Sequence, residues 1–372
     1  MRRTRFRYPV TTLAGSTLKN IIALNKSHHV EKKYRLKFQL SAATAAFFEI
    51  FNLVERVIWQ KRLTKLRPQS PPVFIIGFWR SGTTLLHNLL CQDPEAAYVT
   101  TFQTVFPNLM LTQSWWLKPL TNLFLPEKRP FDNVRMDMDF PQEEEFGMMN
   151  IQPHTLYKFF LYPAEFDRIL EKELFTDKLP ETELSKWKKD YSGMIAKAIF
   201  STGGKRYIGK NPCNLTRIRL LKEMYPEAKF IFIHRDPYQV IESLYRFTLS
   251  IFPGVQLQDL PEGFGREKVA RLYQKIMDTY LADRKKLSSS DLIEISMEEF
   301  IADKKGTLET IYKTFQLGDF NRALPGIEKF LSENPCPVHE SYEPSPETRK
   351  LVNQYASTIA SQLGYKVYQP VT

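Results

Sequence analysis

Val73-Phe74-Ile75-Ile76-Gly77-Phe78-Trp79-Arg80-Ser81-Gly82-Thr83-Thr84 decides the fold. Its first four residues are a short continuous apolar run, which suits a strand buried on both faces, as in a parallel sheet. Thr83 to Cys91 reads as a helix. A strand that turns directly into a helix aims successive backbone N–H groups and a helix N-terminus at one point, where an anion can sit. The pattern recurs downstream. Phe230-Ile231-Phe232-Ile233-His234 is a second buried run, and a helix opens near Asp236-Pro237. Proline fits a first helical turn because its missing N–H has no helical partner there. Leu292-Ile293-Glu294-Ile295 reads as a third strand, and a last helix is expected from Glu347 to Leu363. Strands alternating with helices predict an α/β fold: three layers, P-loop-like, with a central, mainly parallel sheet flanked by helices.

Upstream, the breaker run Arg67-Pro68-Gln69-Ser70-Pro71-Pro72 marks a boundary. It separates a basic helical N-terminal extension, residues 1–70, from an α/β domain, residues 71–372. The extension holds Arg2, Arg3, Arg5 and Arg7, then Lys32, Lys33, Arg35 and Lys37. Phe38, Ala45, Phe48, Phe51, Leu53, Val54, Val57 and Ile58 recur in it at helical spacing. That stripe is expected to pack on the main domain; the rival reading is an amphipathic basic helix in peripheral contact with an anionic membrane. Over 372 residues, 52 Lys plus Arg against 41 Asp plus Glu give a net charge of +11, which favours anionic partners. The excess sits in the N-terminal block, so nucleic acid is not expected as a partner. Apolar residues at 43% and charged residues at 25% exclude a mostly disordered chain. Cys91, Cys213 and Cys336 form no CxxC pair, which fits a reducing compartment. The N-terminus develops no continuous apolar region of a signal peptide. The most apolar window, Ala42 to Ile58, is interrupted by Glu49, Asn52, Glu55 and Arg56 and is too polar to span a bilayer. A cytoplasmic protein is expected.

Gly77 and Gly82 have the spacing of the P-loop G-x-x-x-x-G-K-[ST], but Thr83 stands where the lysine should be. That lysine serves the β- and γ-phosphates of a nucleoside triphosphate. Its loss argues against the alternative of a P-loop kinase or NTPase. Arg80 supplies a cation inside the loop, and Ser81, Thr83 and Thr84 supply hydroxyls, a set tuned to one terminal phosphate. A glycine-rich turn with no function is the plain alternative. After the second strand, Arg235 stands at the strand end, where α/β folds bind ligands. Ser243 follows two helical turns on. A salt bridge from Arg235 to Asp236 or Glu242 is the structural alternative. Two separated phosphate-reading elements imply a ligand with phosphates on two different ribose oxygens.

GFWRSGTTLL followed about 150 residues later by HRDPYQVIES resembles the PAPS-dependent sulfotransferases, above all the bacterial-type group with Arg-Ser-Gly-Thr-Thr in the loop. The likeness covers roughly residues 72 to 365. It implies transfer of a sulfuryl group from PAPS to a hydroxyl of a small-molecule acceptor, leaving adenosine 3′,5′-bisphosphate (PAP). It implies that Arg80, Ser81, Gly82, Thr83 and Thr84 bind the 5′-phosphosulfate and that Arg235 and Ser243 bind the 3′-phosphate. Lys210, in Lys210-Asn211-Pro212, matches a Lys-x-Pro turn near the sulfate. The chain departs from the cytosolic aryl and steroid enzymes, which have Lys at the place of Arg80 and a C-terminal Arg-Lys-Gly signature.

Sulfuryl transfer needs charge stabilisation on the leaving phosphate, a role for Arg80, and a base for the alcohol proton. Asp137-Met138-Asp139-Phe140-Pro141-Gln142-Glu143-Glu144-Glu145-Phe146 is the richest acidic stretch. Clustered carboxylates raise one another's pKa, and burial adds to the effect. A P-x-E-[DE]-E stretch stands at this place in the similar bacterial enzymes, which implies Glu143 or Glu145 as the base, Glu143 preferred. A solvated acidic loop is the alternative. His154 is the rival, because imidazole titrates in the right range. No His, Cys or Asp cluster has metal-ligand spacing, so no metal is expected. Phe102, Phe106, Trp115, Trp116, Phe124, Phe131, Tyr157, Phe159, Phe160 and Tyr162 fall between the two motifs. They suit a lipophilic alcohol such as a sterol, phenol or lipid, although a carbohydrate or peptidyl acceptor would also meet aromatic faces. A homo-oligomer is compatible with all of this.

Overall fold

The computed structural model describes residues 10–123, 136–334 and 343–368. Arg2, Arg3, Arg5, Arg7, Phe124, Phe131 and Cys336 lie outside the described residues. Five strands form one sheet: β1 (Val73–Ile76), β2 (Ala96–Ala97), β3 (Arg206–Lys210), β4 (Lys229–His234) and β5 (Leu292–Ser296). Their order is β2-β3-β1-β4-β5. β1 pairs parallel with β3 and with β4, and β4 pairs parallel with β5. Every residue of β1 is fully buried, as its unbroken apolar run requires. The register sets Ile76 level with Phe232 and Ile75 level with Lys210. The segments that follow β1, β3 and β4 therefore leave the sheet side by side at its C-terminal edge, the usual ligand edge of such folds.

In chain order, the helices up to the second motif are α1 (Leu18–Ser27), α2 (Arg35–Leu63), α3 (Thr83–Leu90), α4 (Thr101–Val105), α5 (Ser114–Asn122), α6 (Glu144–Ile151), α7 (Lys158–Leu161), α8 (Phe166–Glu173), α9 (Glu181–Thr202), α10 (Ile218–Met224) and α11 (Pro237–Val255). Further helices include Arg266–Asp283 and Met297–Ala302. The single last helix expected from Glu347 to Leu363 is two, Pro346–Tyr355 and Ser357–Gln362. The break falls at Ala356, whose φ of −136° leaves the helical region.

The chain divides into two compact units. One comprises Met1–Ser70, Ala97–Tyr207 and Ser250–Pro261; the other comprises Pro71–Ala96, Ile208–Leu249 and Glu262–Thr372. The second unit holds both strand–turn–helix motifs. In the first, Phe48 of α2 joins Phe102, Phe106, Leu109, Met110 and Leu117 in one apolar core. The expected stripe on α2 needs correction. Ala45 and Phe48 are buried, but Leu53, Val54, Val57 and Ile58 point outward. The inward face is taken by Ser41, Asn52 and Glu55 instead. Glu55 accepts from Leu111 N, Thr112 N, Thr112 Oγ1 and Lys197 Nζ at 2.9, 3.1, 3.2 and 3.0 Å, and these bonds fix the rotation of the helix. No helix among the described residues is long and apolar enough to cross a membrane.

Candidate functional site

Gly77 is where β1 ends. A Cβ there would lie 2.4 Å from the carbonyl oxygen of Ile233 in β4, so only glycine lets the chain turn this close to its neighbour. Two left-handed residues follow, Arg80 at φ 72° and Gly82 at φ 90°. Such a backbone is strained for arginine, and strain of this kind collects at ligand-binding sites. The turn is closed by Ser81 N donating to Phe78 O at 3.2 Å. Phe78 anchors it, with Tyr273 edge-on at 4.9 Å. Gly82 is the N-cap of α3, and no side chain caps the first turn. The first N–H groups of a helix have no intrahelical acceptor and carry the positive end of its dipole. Ser81 and Thr83 are buried under the turn, and Thr84 is half-buried.

Arg80 reaches across to the second motif. Its Nε donates to Ser243 Oγ at 3.1 Å, and its guanidinium lies 5.6 Å from the ring centre of Phe247. Ser243 and Phe247 are four residues apart on α11 and so share one face. Arg235 leaves the end of β4 and is half-buried. Glu242, one alternative partner for Arg235, is engaged by other groups: Arg246 and Arg266 at 2.7 Å each and Thr348 Oγ1 at 2.7 Å. Burial alone would raise the pKa of Glu242, but the hydrogen bonds from Arg266, Arg246 and Thr348 outweigh it and hold the group at about 2. Burial pushes the pKa of Asp236 up; its carboxylate accepts from Tyr238 N at 2.9 Å.

Lys210 ends β3 and is buried, with Nζ 3.4 Å from Thr84 Oγ1. Behind it, His87 of α3 places Nε2 at 3.2 Å from the carbonyl oxygen of Ile208. A carbonyl accepts only, so Nε2 carries the proton. Burial first, and the nearby charge of Lys210 second, hold the pKa of His87 down to about 3, so the ring is neutral. The second unit thus brings Arg80, Thr84, Lys210 and Ser243 to one edge of the sheet, from four elements. Among the described residues there is no group of three or more His, Cys, Asp or Glu side chains that could hold a metal ion.

The acidic stretch belongs to the first unit. Its carboxylates are adjacent in sequence but engage different donors. Glu143 is the N-cap of α6, is half-buried, and accepts from the hydroxyl of Tyr157. Glu144 accepts from Tyr191 Oη at 3.2 Å and Tyr207 Oη at 2.9 Å. Glu145 is fully buried and accepts from Thr155 Oγ1 at 2.7 Å and Leu156 N at 3.2 Å. Asp139 pairs with Lys118. His154 lies between two acids, with Nδ1 3.4 Å from Glu173 and Nε2 3.3 Å from Glu183. Sequence reading did not find Tyr157 and Thr155 as the partners of Glu143 and Glu145, nor Phe247 beneath Arg80. The i,i+4 spacing of Ser243 and Phe247 was the only sequence signal for any of them. Of the predicted aromatics, Tyr157, Phe159 and Phe160 pack on one another, with ring centres 4.2 to 6.2 Å apart.

A family model described as "Sulfotransferase family" matches residues 71–321. The chain belongs to that family: it is a sulfotransferase, an enzyme that transfers a sulfuryl group, and PAPS is the family's general donor. Relatives from Mycobacterium bovis and Mycobacterium tuberculosis, each named omega-hydroxy-beta-dihydromenaquinone-9 sulfotransferase Stf3, are 29% identical over 322 residues, 86% of this chain and 81% of theirs. The fold is shared with the sulfotransferase STF9 from Mycobacterium avium, at a TM-score of 0.68 and 18% identity over 95% of this chain and 91% of that one. It is shared also with STF1 from Mycobacterium tuberculosis, at a TM-score of 0.62 and 16% identity over 91% and 92%.

Proposed function

We propose that this sulfotransferase moves the sulfuryl group of PAPS to the hydroxyl of a lipophilic alcohol. The observation that carries the donor half is the contact between Arg80 and Ser243, which ties the loop after β1 to the helix after β4. One 3′,5′-phosphorylated adenosine can be read from both. The amides of Ser81, Gly82, Thr83 and Thr84 and the cations of Arg80 and Lys210 take the 5′-phosphosulfate. Arg235 and Ser243 take the 3′-phosphate. Glu143 is the base: of the three consecutive glutamates it is the half-buried one, and Tyr157 orients it. It receives the alcohol proton as the acceptor oxygen bonds to sulfur and the sulfur–phosphate oxygen bond breaks. Arg80 and Lys210 stabilise the charge that collects on the leaving phosphate. Glu145 is held as a structural acceptor. His154 has its two ring nitrogens turned to the carboxylates of Glu173 and Glu183.

The name of the mycobacterial relatives supports the acceptor class, because an omega-hydroxylated menaquinone is a lipophilic alcohol. In this reading residues 71–372 carry the chemistry and residues 1–70 place it. Peripheral contact with a membrane fits an acceptor of that solubility; a homo-oligomer is not required. The test pairs calorimetric titration of PAP with transfer of radiolabelled sulfate from PAPS to a panel of sterols, phenols, hydroxylated isoprenoid lipids and sugars. PAP binding that is lost in Arg235→Ala, with label entering the lipophilic alcohols, supports the reading. PAP binding unchanged in Arg235→Ala overturns the donor site, and label entering only sugars overturns the acceptor class.

A further inference from the structure

Helix α2 is inverted with respect to its composition. Ser41, Asn52 and Glu55 are turned inward and are at most 1% exposed, whereas Ile50 and Val57 are 72% and 73% exposed. The inversion is held in place by polar contacts. Ser41 Oγ accepts from Thr11 N at 2.8 Å and donates to Lys37 O at 2.9 Å, and Glu55 is bound by the four donors described above. Rotating the helix to bury its apolar face would orphan these groups, which is costly for a buried carboxylate. The outward positions Leu36, Leu40, Phe47, Ile50, Val54 and Val57 fall on the alternating spacing of 4 and 3 residues, with exposed Ala43 completing it. They form a straight apolar stripe about 30 Å long. Soluble surfaces rarely carry an apolar strip of this extent without a partner. The neighbouring α5 touches α2 through Trp116 and Phe48, with ring centres 6.4 Å apart, and adds Trp115 at 78% exposure. An exposed tryptophan next to an apolar stripe matches the chemistry of a membrane interface.

Charge decides what covers the stripe. α2 has two acids, and neither faces out: Glu49 accepts from Leu18 N at 3.0 Å, and Glu55 is buried. The exposed charged residues of α2 are Arg35, Arg56, Lys61 and Arg62, all cations, and Lys32 and Lys65 lie just beyond its ends. A second copy packed on this stripe would set cation against cation, with no flanking acid to pair them. An anionic surface neutralises them. We propose that the outward face of α2 docks on an anionic phospholipid bilayer, the helix lying flat at the headgroup level with its apolar stripe buried. Docking requires neither donor nor acceptor, so it stands apart from the reaction proposed above.

The test is flotation of the full chain with vesicles of phosphatidylcholine alone and of phosphatidylcholine mixed equally with phosphatidylglycerol. Binding is expected on the anionic vesicles, weaker binding on the neutral ones, and release by salt. Ile50→Glu combined with Val57→Glu lowers binding by more than about tenfold. Arg56→Glu combined with Lys61→Glu lowers binding to anionic vesicles and leaves the neutral ones unchanged. Unaltered PAP titration in both variants shows that they are folded. Equal binding to both kinds of vesicle, or binding unaffected by the Ile50/Val57 pair, overturns the proposal. So does a dimer in sedimentation that the same pair dissociates while no vesicle binds, which would make a second copy the occupant.

Discussion

Replacing Gly77 with alanine tests how tightly the two strand–turn–helix motifs of the proposed donor site are mounted on the sheet. The new Cβ would lie 2.4 Å from Ile233 O, 2.9 Å from Thr83 Cγ2 and 3.2 Å from Ile233 Cγ2. The nearest atom is backbone oxygen in the strand hydrogen-bonded beside β1, so it cannot swing aside as a side chain would. Relief requires β1 and β4 to separate by about 1 Å, against a normal spacing of about 4.8 Å. We expect a loss of about 3 kcal/mol, the upper range for overpacking. We also expect PAP affinity to fall more than about tenfold, because Arg80 and Ser243 are carried on the two elements driven apart. Gly82→Ala is the control. Its φ of 90° costs alanine about 1–2 kcal/mol, but its nearest neighbour is Met297 Sδ at 2.1 Å, the mobile end of a flexible side chain. Met297→Ala should therefore relieve part of Gly82→Ala and none of Gly77→Ala. Calorimetric PAP titration and urea unfolding followed by tryptophan fluorescence read both quantities. Wild-type stability and PAP affinity in Gly77→Ala would refute the close approach of β1 and β4 on which the donor site rests.

Other outcomes can be checked with the same assays. Glu143→Gln should lower turnover at least about a hundredfold while PAP affinity stays within about twofold, since it removes the proposed base and none of the proposed donor contacts. Glu145→Ala should instead destabilise the fold by about 1–3 kcal/mol by orphaning Thr155 Oγ1 and Leu156 N, measured by unfolding. Both acid-side shifts predict loss of stability at low pH. Glu242 is held below its unfolded value, so it stabilises above about pH 4.5, by about 2 kcal/mol after solvent screening, and the effect fades as pH falls toward 2. His87 is kept neutral down to about 3, so unfolding gains a proton as pH falls from 6.5 toward 3. His87→Gln should flatten the stability profile across that window.

Much of the fold could be read from local pattern. The runs Val73–Ile76 and Phe230–His234 are strands in the structure because apolar residues suit positions covered on both faces, whereas Leu292–Ile295, interrupted by Glu294, is a half-buried edge strand. β3 was not found. Arg206-Tyr207-Ile208-Gly209-Lys210 carries a cation at each end and a glycine, and it looks like a turn until the sheet buries it beside β1. The two strand–turn–helix motifs were legible because an apolar run, a glycine spacing and a helix opening are local features; a phosphate role for Arg235 and Ser243 came from the family resemblance.

Three matters needed the tertiary structure. The direct contact of Arg80 with Ser243 depends on which strands are neighbours, and spacing along the chain does not encode that. The acidic stretch reads as one cluster, yet its three glutamates accept from different donors, one of them as far along the chain as Tyr207. The facing of α2 was misread, because helical periodicity marks an apolar stripe without saying which side the body of the protein occupies. Here the buried bonds of Glu55 and Ser41 made that choice. Sequence alone thus determined three of the five strands, the glycine-rich turn after β1 and the family, all properties of short segments. Adjacency, burial and facing were decided by long-range packing, where a few distant donors outweigh the local preference of an entire helix.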